Sequence, residues 1–165
     1  GRDARSIQPQ VFAKCTTEQM AEHCSTAIEK YKPDHVFIEA DGIGGPVCEL
    51  LSNAGYRIIE VQAGGAAQHR TELWGRMRDW IPTGCLPSEG ELVDDLCAMR
   101  YSVNLKGQLA LWPKEKMRKE GFASPDYADA LAMTFSKNVS RNDAPSSRRF
   151  RKNRVVVSSD YDTFT

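Results

Sequence analysis

Two acidic positions in the sequence have surroundings suited to chemistry. Asp41 directly follows the apolar run 35–40 and is itself followed by glycines, which let a ligand approach the backbone. Asp129 lies between two alanines within residues 124–131, so small neighbours leave room beside its carboxylate for a metal ion or a phosphate. Carboxylate oxygens are ligands for hard cations such as Mg²⁺. The sequence therefore offers Asp41 and Asp129 as metal ligands, with Asp126 as a candidate third.

Carboxylates of this kind suit the hydrolysis of phosphodiester bonds. Two divalent ions held about 3.5–4 Å apart activate water and stabilise the leaving oxygen of that reaction. A basic group precedes the second acidic stretch and would hold DNA phosphates; it consists of Lys114, Lys116, Arg118 and Lys119. Contacts to the phosphate backbone carry no base information, so little sequence preference is expected.

Each of these features also has a purely structural interpretation. The Asp41 carboxylate could belong to a simple turn and cap the helix expected from Pro46. Asp126 and Asp129 would stand near the start of a helix, where the helix dipole favours negative charge. Asp126 fits that interpretation better than Asp129. The basic group would then be an ordinary solvated helix face.

Several other kinds of chemistry find no support in the sequence. There is no GxxxxGK[ST] phosphate loop, and residues 42–45 lack the GxGxxG spacing of a dinucleotide site. The three histidines lack metal-ligand spacing, and the five cysteines include no CxxC pair, which favours reduced thiols over a disulfide framework or a zinc site. The longest apolar runs are too short for a transmembrane helix, and no leader-like segment opens the chain.

The expected elements place both acidic positions beyond one edge of a sheet. Strands are expected at 6–14, 35–40 and 57–62, and the first helix between them opens with a capping box of Thr16 and Gln19. Strands that alternate with helices of ten or more residues predict a parallel sheet with right-handed crossovers. Ligands bind such sheets beyond the carboxyl ends of the strands. The predicted fold class is α/β.

The rest of the chain predicts more helices and a hairpin. Ser88 and Glu91 form a second capping box, and Ser124 is the expected cap of the last helix. The expected elements are helices at about 73–81 and 92–99, a β-hairpin over 101–112, a short basic helix after Pro113 and a helix from 125 to about 136.

The chain has 165 residues, the size of a single ordinary domain, and a formal net charge of zero. That balance hides an asymmetry, because residues 1–136 hold 15 basic and 19 acidic side chains, whereas residues 137–165 hold 7 and 3. The basic segment predicts a mobile tail that neutralises DNA phosphates, Arg148 and Arg149 among them. A solvated tail without a dedicated partner is the alternative. The last eleven residues could add an edge strand or dock on a partner.

Three blocks of sequence, in this order, resemble the nuclease domain of bacteriophage terminase large subunits. The similarity extends over about residues 1–137. The blocks are Val36-Phe37-Ile38-Glu39-Ala40-Asp41-Gly42-Ile43-Gly44-Gly45, Thr71-Glu72-Leu73-Trp74 and Ser124-Pro125-Asp126-Tyr127-Ala128-Asp129-Ala130-Leu131.

The resemblance implies a ribonuclease H-like fold, in which helices flank a central mixed sheet, here with an added β-hairpin. It implies an endonuclease that cuts concatemeric double-stranded DNA into genome-length units, with Mg²⁺ or Mn²⁺ as cofactor and two ions expected. It assigns metal-binding aspartates to Asp41 and Asp129, with Asp126 as the neighbour of the latter. Lys114 matches a basic position of the family, and Glu72 belongs to a motif that we interpret as structural.

One departure from the family bears on activity. The family carries a third metal-binding aspartate on a first strand that precedes the segment seen here, and Asp3 does not match it. We therefore expect a nuclease domain at 1–137 that lacks its first strand, with impaired metal binding and cleavage, and a basic tail at 138–165. The packaging motor's ATPase domain is expected in the intact protein, since no phosphate loop is present here.

The resemblance also implies partners and a location. They are double-stranded DNA, the portal protein, the terminase small subunit and no membrane, in the cytoplasm of the host cell. Two other functions stay open. The chain could be a non-catalytic module that docks on DNA and portal, as the missing aspartate suggests, or a resolvase-type nuclease that cuts branched DNA.

Overall fold

The computed structural model describes residues 9–62, 67–86, 90–103 and 107–138. This part of the chain contains six α-helices and four short strands, which makes the fold mixed α/β. Helices account for most of the ordered structure, and the strands have three residues each. Among the described residues, no helix has both the length and the apolar composition needed to cross a membrane.

Helix α1, Thr17–Tyr31, begins and ends as its sequence dictates. The Thr16 hydroxyl accepts a hydrogen bond from the Gln19 N–H at 3.3 Å, and the Gln19 side chain accepts one from the Thr16 N–H at 3.0 Å. This is the expected capping box, which satisfies two N–H groups that the helix leaves open. Lys32 adopts the left-handed conformation with φ 46°, and Pro33 follows, so the helix cannot continue.

A parallel β–α–β unit follows α1. Strand β1, Phe37–Glu39, pairs with β2, Ile59–Val61, and Glu39 lies opposite Val61 in the register. Helix α2, Gly44–Asn53, connects them. The parallel pairing of β1 with β2 confirms part of the predicted sheet; among the described residues, no third strand joins this pair.

The glycines after β1 serve the protein's own packing. A Cβ atom at Gly44 would overlap the carbonyl oxygen of Glu39, and one at Gly45 would lie 3.1 Å from the carbonyl oxygen of Ala40. Helix α2 therefore starts directly against the end of β1, and only glycine at position 44 permits that approach. The approach that the sequence predicted for a ligand is made by the first turn of α2.

The second half of the described chain contains four helices and a hairpin. Strands β3 and β4 pair antiparallel, with Tyr101 opposite Leu111, as the sequence predicted; residues 104–106 of the connection lie outside the described residues. The two strand pairs form separate two-stranded sheets within the described ranges. The elements are α3 (Ala67–Trp80, followed by a 3₁₀ turn at Ile81–Thr83), α4 (Glu91–Ala98), β3 (Tyr101–Val103), β4 (Leu109–Leu111), α5 (Lys114–Lys119) and α6 (Asp126–Met133).

Two clusters of buried apolar side chains hold these elements together. The smaller cluster joins α1, α2 and β1, with Ala21, Val47 and Leu51 at its centre. The larger cluster packs α3 against α4 and α6. Within it, the rings of Trp80 and Phe135 pack edge to face, with their centroids 5.6 Å apart. Its buried members are Leu73, Trp74, Met77, Leu92, Ala128, Ala132 and Phe135.

Three details of the sequence-based prediction are wrong. Residues 9–14 form no strand, because the segment lies along α1 instead, where Phe12 stacks on His23 with ring centroids 3.9 Å apart. Helices α2 and α3 begin earlier than expected, at Gly44 and Ala67. The N-cap of α6 is Pro125 rather than Ser124, and no side chain at that position caps the helix. Ser88 and residues 1–8 lie outside the described residues.

The start of α6 is capped from another helix. The Asp95 carboxylate on α4 accepts hydrogen bonds from the backbone N–H groups of Tyr127 at 2.9 Å and Ala128 at 3.2 Å. Burial raises the pKa of Asp95, and the two backbone hydrogen bonds oppose that shift, while the charges of Asp126 and Asp129 add to it. A side chain distant in sequence thus does what Ser124 was predicted to do.

Removal of this distant cap should destabilise the fold. We expect Asp95→Ala to lower the free energy of unfolding by about 1–2 kcal/mol, because two N–H groups at the start of α6 lose their acceptor. Urea denaturation followed by circular dichroism would measure the change. Asp94→Ala is the matched control, since Asp94 is exposed on the same helix. Equal destabilisation by both variants would contradict the assignment of the cap.

Candidate active site

A pocket forms where the end of β1 meets α3, α5 and α6. Glu39, the last residue of β1, lines this pocket, and Asp129 lines it from α6. Two carboxylates from separate elements therefore line one pocket at the carboxyl end of a parallel strand, which is where ligands bind in such sheets. The remaining lining residues are His69, Arg70, Leu73 and Trp74 of α3, Lys114 of α5, and Ala132 and Met133 of α6.

Asp129 is held by an unusually complete set of donors. Its Oδ1 accepts hydrogen bonds from Arg70 Nε at 3.0 Å and Trp74 Nε1 at 2.8 Å, and its Oδ2 accepts from Arg70 Nη2 at 3.2 Å. Lys114 Nζ lies 3.1 Å from Oδ2. The Asp129 side chain is only 14% exposed, so these contacts replace the water that a carboxylate loses on burial.

Arg70 connects three elements around the pocket. Besides its bidentate pair with Asp129, it donates from Nη1 to the backbone carbonyl of Trp112 at 3.1 Å, just after β4. Its guanidinium also lies over the Trp74 ring, 5.8 Å from the centroid. The fixed fork of an arginine suits this geometry better than a lysine would. Arg70 therefore sets the position of Asp129 relative to α3 and the hairpin.

Lys114 stands between two carboxylates. Its ammonium group lies 3.2 Å from Asp126 Oδ1 and 3.1 Å from Asp129 Oδ2. Burial by itself lowers the pKa of Lys114, but the two carboxylates outweigh it and the net shift is upward. Lys114 is therefore charged at neutral pH. Asp126 is the outer member of the group, with a side chain 73% exposed and a hydrogen bond from the Ser124 hydroxyl at 2.7 Å.

The turn before α6 places Asp126 outside the pocket. Pro125 has φ −82° and ψ 61°, and the Asp126 N–H donates to the Ser124 carbonyl at 2.9 Å, which is an inverse γ-turn. Asp126 is thus the first residue of α6 and points to solvent, one turn away from Asp129. Of the two aspartates, Asp129 lines the pocket and Asp126 does not.

The other predicted site residues are distributed as follows. Asp41 is exposed in the turn between β1 and α2 and is not among the residues that line the pocket with Asp129. Lys116 is exposed on α5, with its ammonium 3.9 Å from the centroid of the Trp112 ring. Arg148 and Arg149 lie outside the described residues, as does the basic segment from residue 139 onward. Glu72 is exposed on α3, beside the buried Leu73 and Trp74.

Sequence reasoning missed three residues of the pocket. From the sequence, Glu39 is treated only as part of an apolar strand. A charged residue at the carboxyl end of such a strand nevertheless indicates a ligand-binding position. Arg70 precedes the Thr71–Trp74 block and had no visible partner, because Asp129 is 59 residues away. Trp74 appears only in a motif that we interpret from the sequence as structural, whereas its indole N–H makes the shortest contact to the Asp129 carboxylate.

The carboxylate oxygens of the pocket are suitable ligands for a hard cation. In the present arrangement, however, hydrogen-bond donors leave no room for a cation at Asp129. A carboxylate offers about four lone-pair sites, and four donors already occupy those of Asp129. In the described part of the chain, no three His, Cys, Asp or Glu side chains come together in a group that could hold a metal ion. A divalent ion would therefore have to displace a donor before Asp129 could bind it.

Comparisons with known proteins add no assignment to this geometry. No family model, curated protein sequence or solved structure matches the chain.

Proposed function

We propose that the chain is the nuclease domain of a bacteriophage terminase large subunit, with a ribonuclease H-like architecture. It would hydrolyse phosphodiester bonds of concatemeric double-stranded DNA in the presence of Mg²⁺ or Mn²⁺. The observation that carries the proposal is the pocket at the end of β1, where Glu39 and Asp129 stand beside Arg70 and Lys114. Acidic groups for an ion and basic groups for phosphate are what such a reaction requires.

The fold is consistent with this proposal in its coarse features. The parallel pair of β1 and β2, with α2 between them, is the unit expected around the acidic strand end. Helix α6 brings the second carboxylate to the same pocket. The resemblance in sequence supplies the finer assignment, including Asp41 and Asp126 as further ligands and Lys114 as a phosphate contact. The run of basic residues adds Lys116 as a second phosphate contact.

The chain's own residues have definable tasks in this function. Arg70 and Trp74 hold Asp129 in position. Lys114 lines the pocket and Lys116 is exposed on the same helix. Both suit the DNA backbone, which binds through its phosphates rather than its bases. Arg148 and Arg149 would extend that contact. The portal protein, the terminase small subunit and an ATPase domain of the intact protein are the further proposed partners, in the host cytoplasm.

A second candidate is supported by a specific observation. Because Asp129 is saturated by Arg70, Trp74 and Lys114, the pocket would also serve as a structural ion-pair cluster. In that case the chain would dock on DNA and portal without cutting. A resolvase-type activity on branched DNA is the third possibility that the proposed architecture permits.

Cleavage assays separate these functions. We expect the chain to cut linear and plasmid DNA in Mn²⁺, with cleavage abolished by EDTA and without preference for a four-way junction. Binding to linear DNA without cleavage in Mn²⁺ would reject the nuclease and favour docking. A strong preference for the junction would favour the resolvase. Deletion of residues 138–165 then tests the tail, since lost binding with an unchanged cleavage rate per bound complex assigns it to DNA contact alone.

A further inference from the structure

The two basic residues that hold Asp129 do so in different ways. Arg70 is 17% exposed and is anchored at three atoms, two on Asp129 and one on the Trp112 carbonyl. Lys114 is 38% exposed and makes one contact to each of two carboxylates, those of Asp126 and Asp129. Arg70 is therefore a fixed part of the pocket wall, whereas Lys114 is more exposed and has a single contact to Asp129.

We infer that Lys114 is an exchangeable internal counter-ion: its ammonium occupies the cation position beside Asp129, and a divalent ion enters only when Lys114 leaves. This inference rests on the proposed function, because it takes Asp129 as a ligand of that ion. It resolves the conflict between a carboxylate whose lone pairs are all in use and a role in binding metal. Release of a single contact frees one side of Oδ2.

Lysine is suited to such an exchange. An ammonium group is a compact, strongly hydrated charge on a flexible four-carbon stem, so it moves between partners more easily than a guanidinium bound at two points. The exposed Asp126 carboxylate, 3.2 Å from Lys114 Nζ, stays available as a partner after Asp129 is released. The freed ammonium would then stand at the edge of the pocket, where a DNA phosphate can also bind it.

Removal of the Lys114 ammonium should raise the affinity of the pocket for Mn²⁺. Mn²⁺ binding to the full chain would be measured by electron paramagnetic resonance without DNA. We expect Lys114→Met to tighten Mn²⁺ binding about fivefold to tenfold, because both the competing contact and the repelling charge are removed. Lys119→Met is the matched control, since it makes the same change on an exposed face of α5, and its affinity should equal that of the unaltered chain.

Two further variants test whether the change in Mn²⁺ affinity comes from the lost ammonium and from the Asp129 carboxylate. Lys114→Gln keeps a polar side chain and should tighten binding in the same direction, which excludes an effect of the apolar methionine. Asp129→Asn in the Lys114→Met background should reverse the gain, because the ion loses the carboxylate that Lys114 had covered. Thermal unfolding of every variant, recorded beside the binding curves, identifies any that fail to fold.

The outcomes distinguish this inference from the proposed function. Unchanged or weaker Mn²⁺ binding by both Lys114 variants, or no binding by any variant, would overturn the inference. DNA cleavage by the unaltered chain together with such a result would leave the nuclease proposal intact. Conversely, tighter binding by the Lys114 variants in a chain that cuts no DNA would support the counter-ion and reject the nuclease.

Discussion

Replacement of Glu39 by glutamine should abolish DNA cleavage, with a loss of about 10³-fold or more, as expected when several kcal/mol of transition-state stabilisation disappear. Glu39 and Asp129 are the carboxylates that line the pocket in the described part of the chain. Glutamine has nearly the same shape but no negative charge, so the protein should still fold. The rate of plasmid nicking in Mn²⁺ measures the loss, and Asp129→Asn should lower that rate to a similar extent.

The matched control is Asp41→Asn, which removes a charge two residues further along the chain. The sequence predicts Asp41 as a metal ligand, whereas the structure places Glu39 in the pocket and Asp41 in the exposed turn beyond it. We expect Asp41→Asn to retain more activity than Glu39→Gln. The reverse order of the two variants would restore Asp41 as the principal ligand. Full activity in all three variants would remove the site assignment.

Replacement of Arg70 should lower the free energy of unfolding more than replacement of an exposed arginine. Arg70→Gln removes the bidentate partner of the Asp129 carboxylate, which is 14% exposed and keeps only its contacts to Lys114 and Trp74. Loss of the two charged hydrogen bonds should cost about 2–3 kcal/mol. The contact to the Trp112 carbonyl is lost as well. Urea denaturation at neutral pH would measure the decrease in the free energy of unfolding.

Two controls test whether the cost comes from a buried carboxylate that has lost its arginine partner. Arg78→Gln makes the same change on α3, where the Arg78 side chain is 70% exposed and pairs with the neighbouring Asp79. Exposed pairs of this kind contribute little, so its effect should be small. The double variant Arg70→Gln, Asp129→Asn should recover part of the stability, because it removes the buried negative charge that Arg70 had paired. A double variant less stable than Arg70→Gln alone would contradict this explanation.

Elements governed by neighbouring residues could be predicted from the sequence. The capping box of Thr16 and Gln19 forms α1 as expected, since both partners lie within one helical turn. The short apolar strand at Phe37–Glu39 and the hairpin of Tyr101–Val103 with Leu109–Leu111 also form as expected. In these elements, periodicity and turn residues already determine the backbone.

Where a segment has a choice of partners, the same reasoning failed. Residues 9–14 have a strand-like composition, but Phe12 packs on His23 of α1 rather than joining a sheet. The start of α6 was assigned to the nearest capping residue, Ser124, whereas Asp95 supplies the acceptor from 32 residues away. Local propensity cannot rank a neighbouring cap against one that arrives with another helix.

The candidate site could be predicted to the same extent. The residue pattern shows that acidic residues follow an apolar strand and open a late helix, and that basic residues precede that helix. Helix packing then places Glu39 rather than Asp41 in the pocket with Asp129, and it brings Arg70, Trp74 and Lys114 against that carboxylate. The pair of Arg70 with Asp129 could not be predicted, because it forms only once packing has brought residues 59 positions apart to a distance of 3.0 Å.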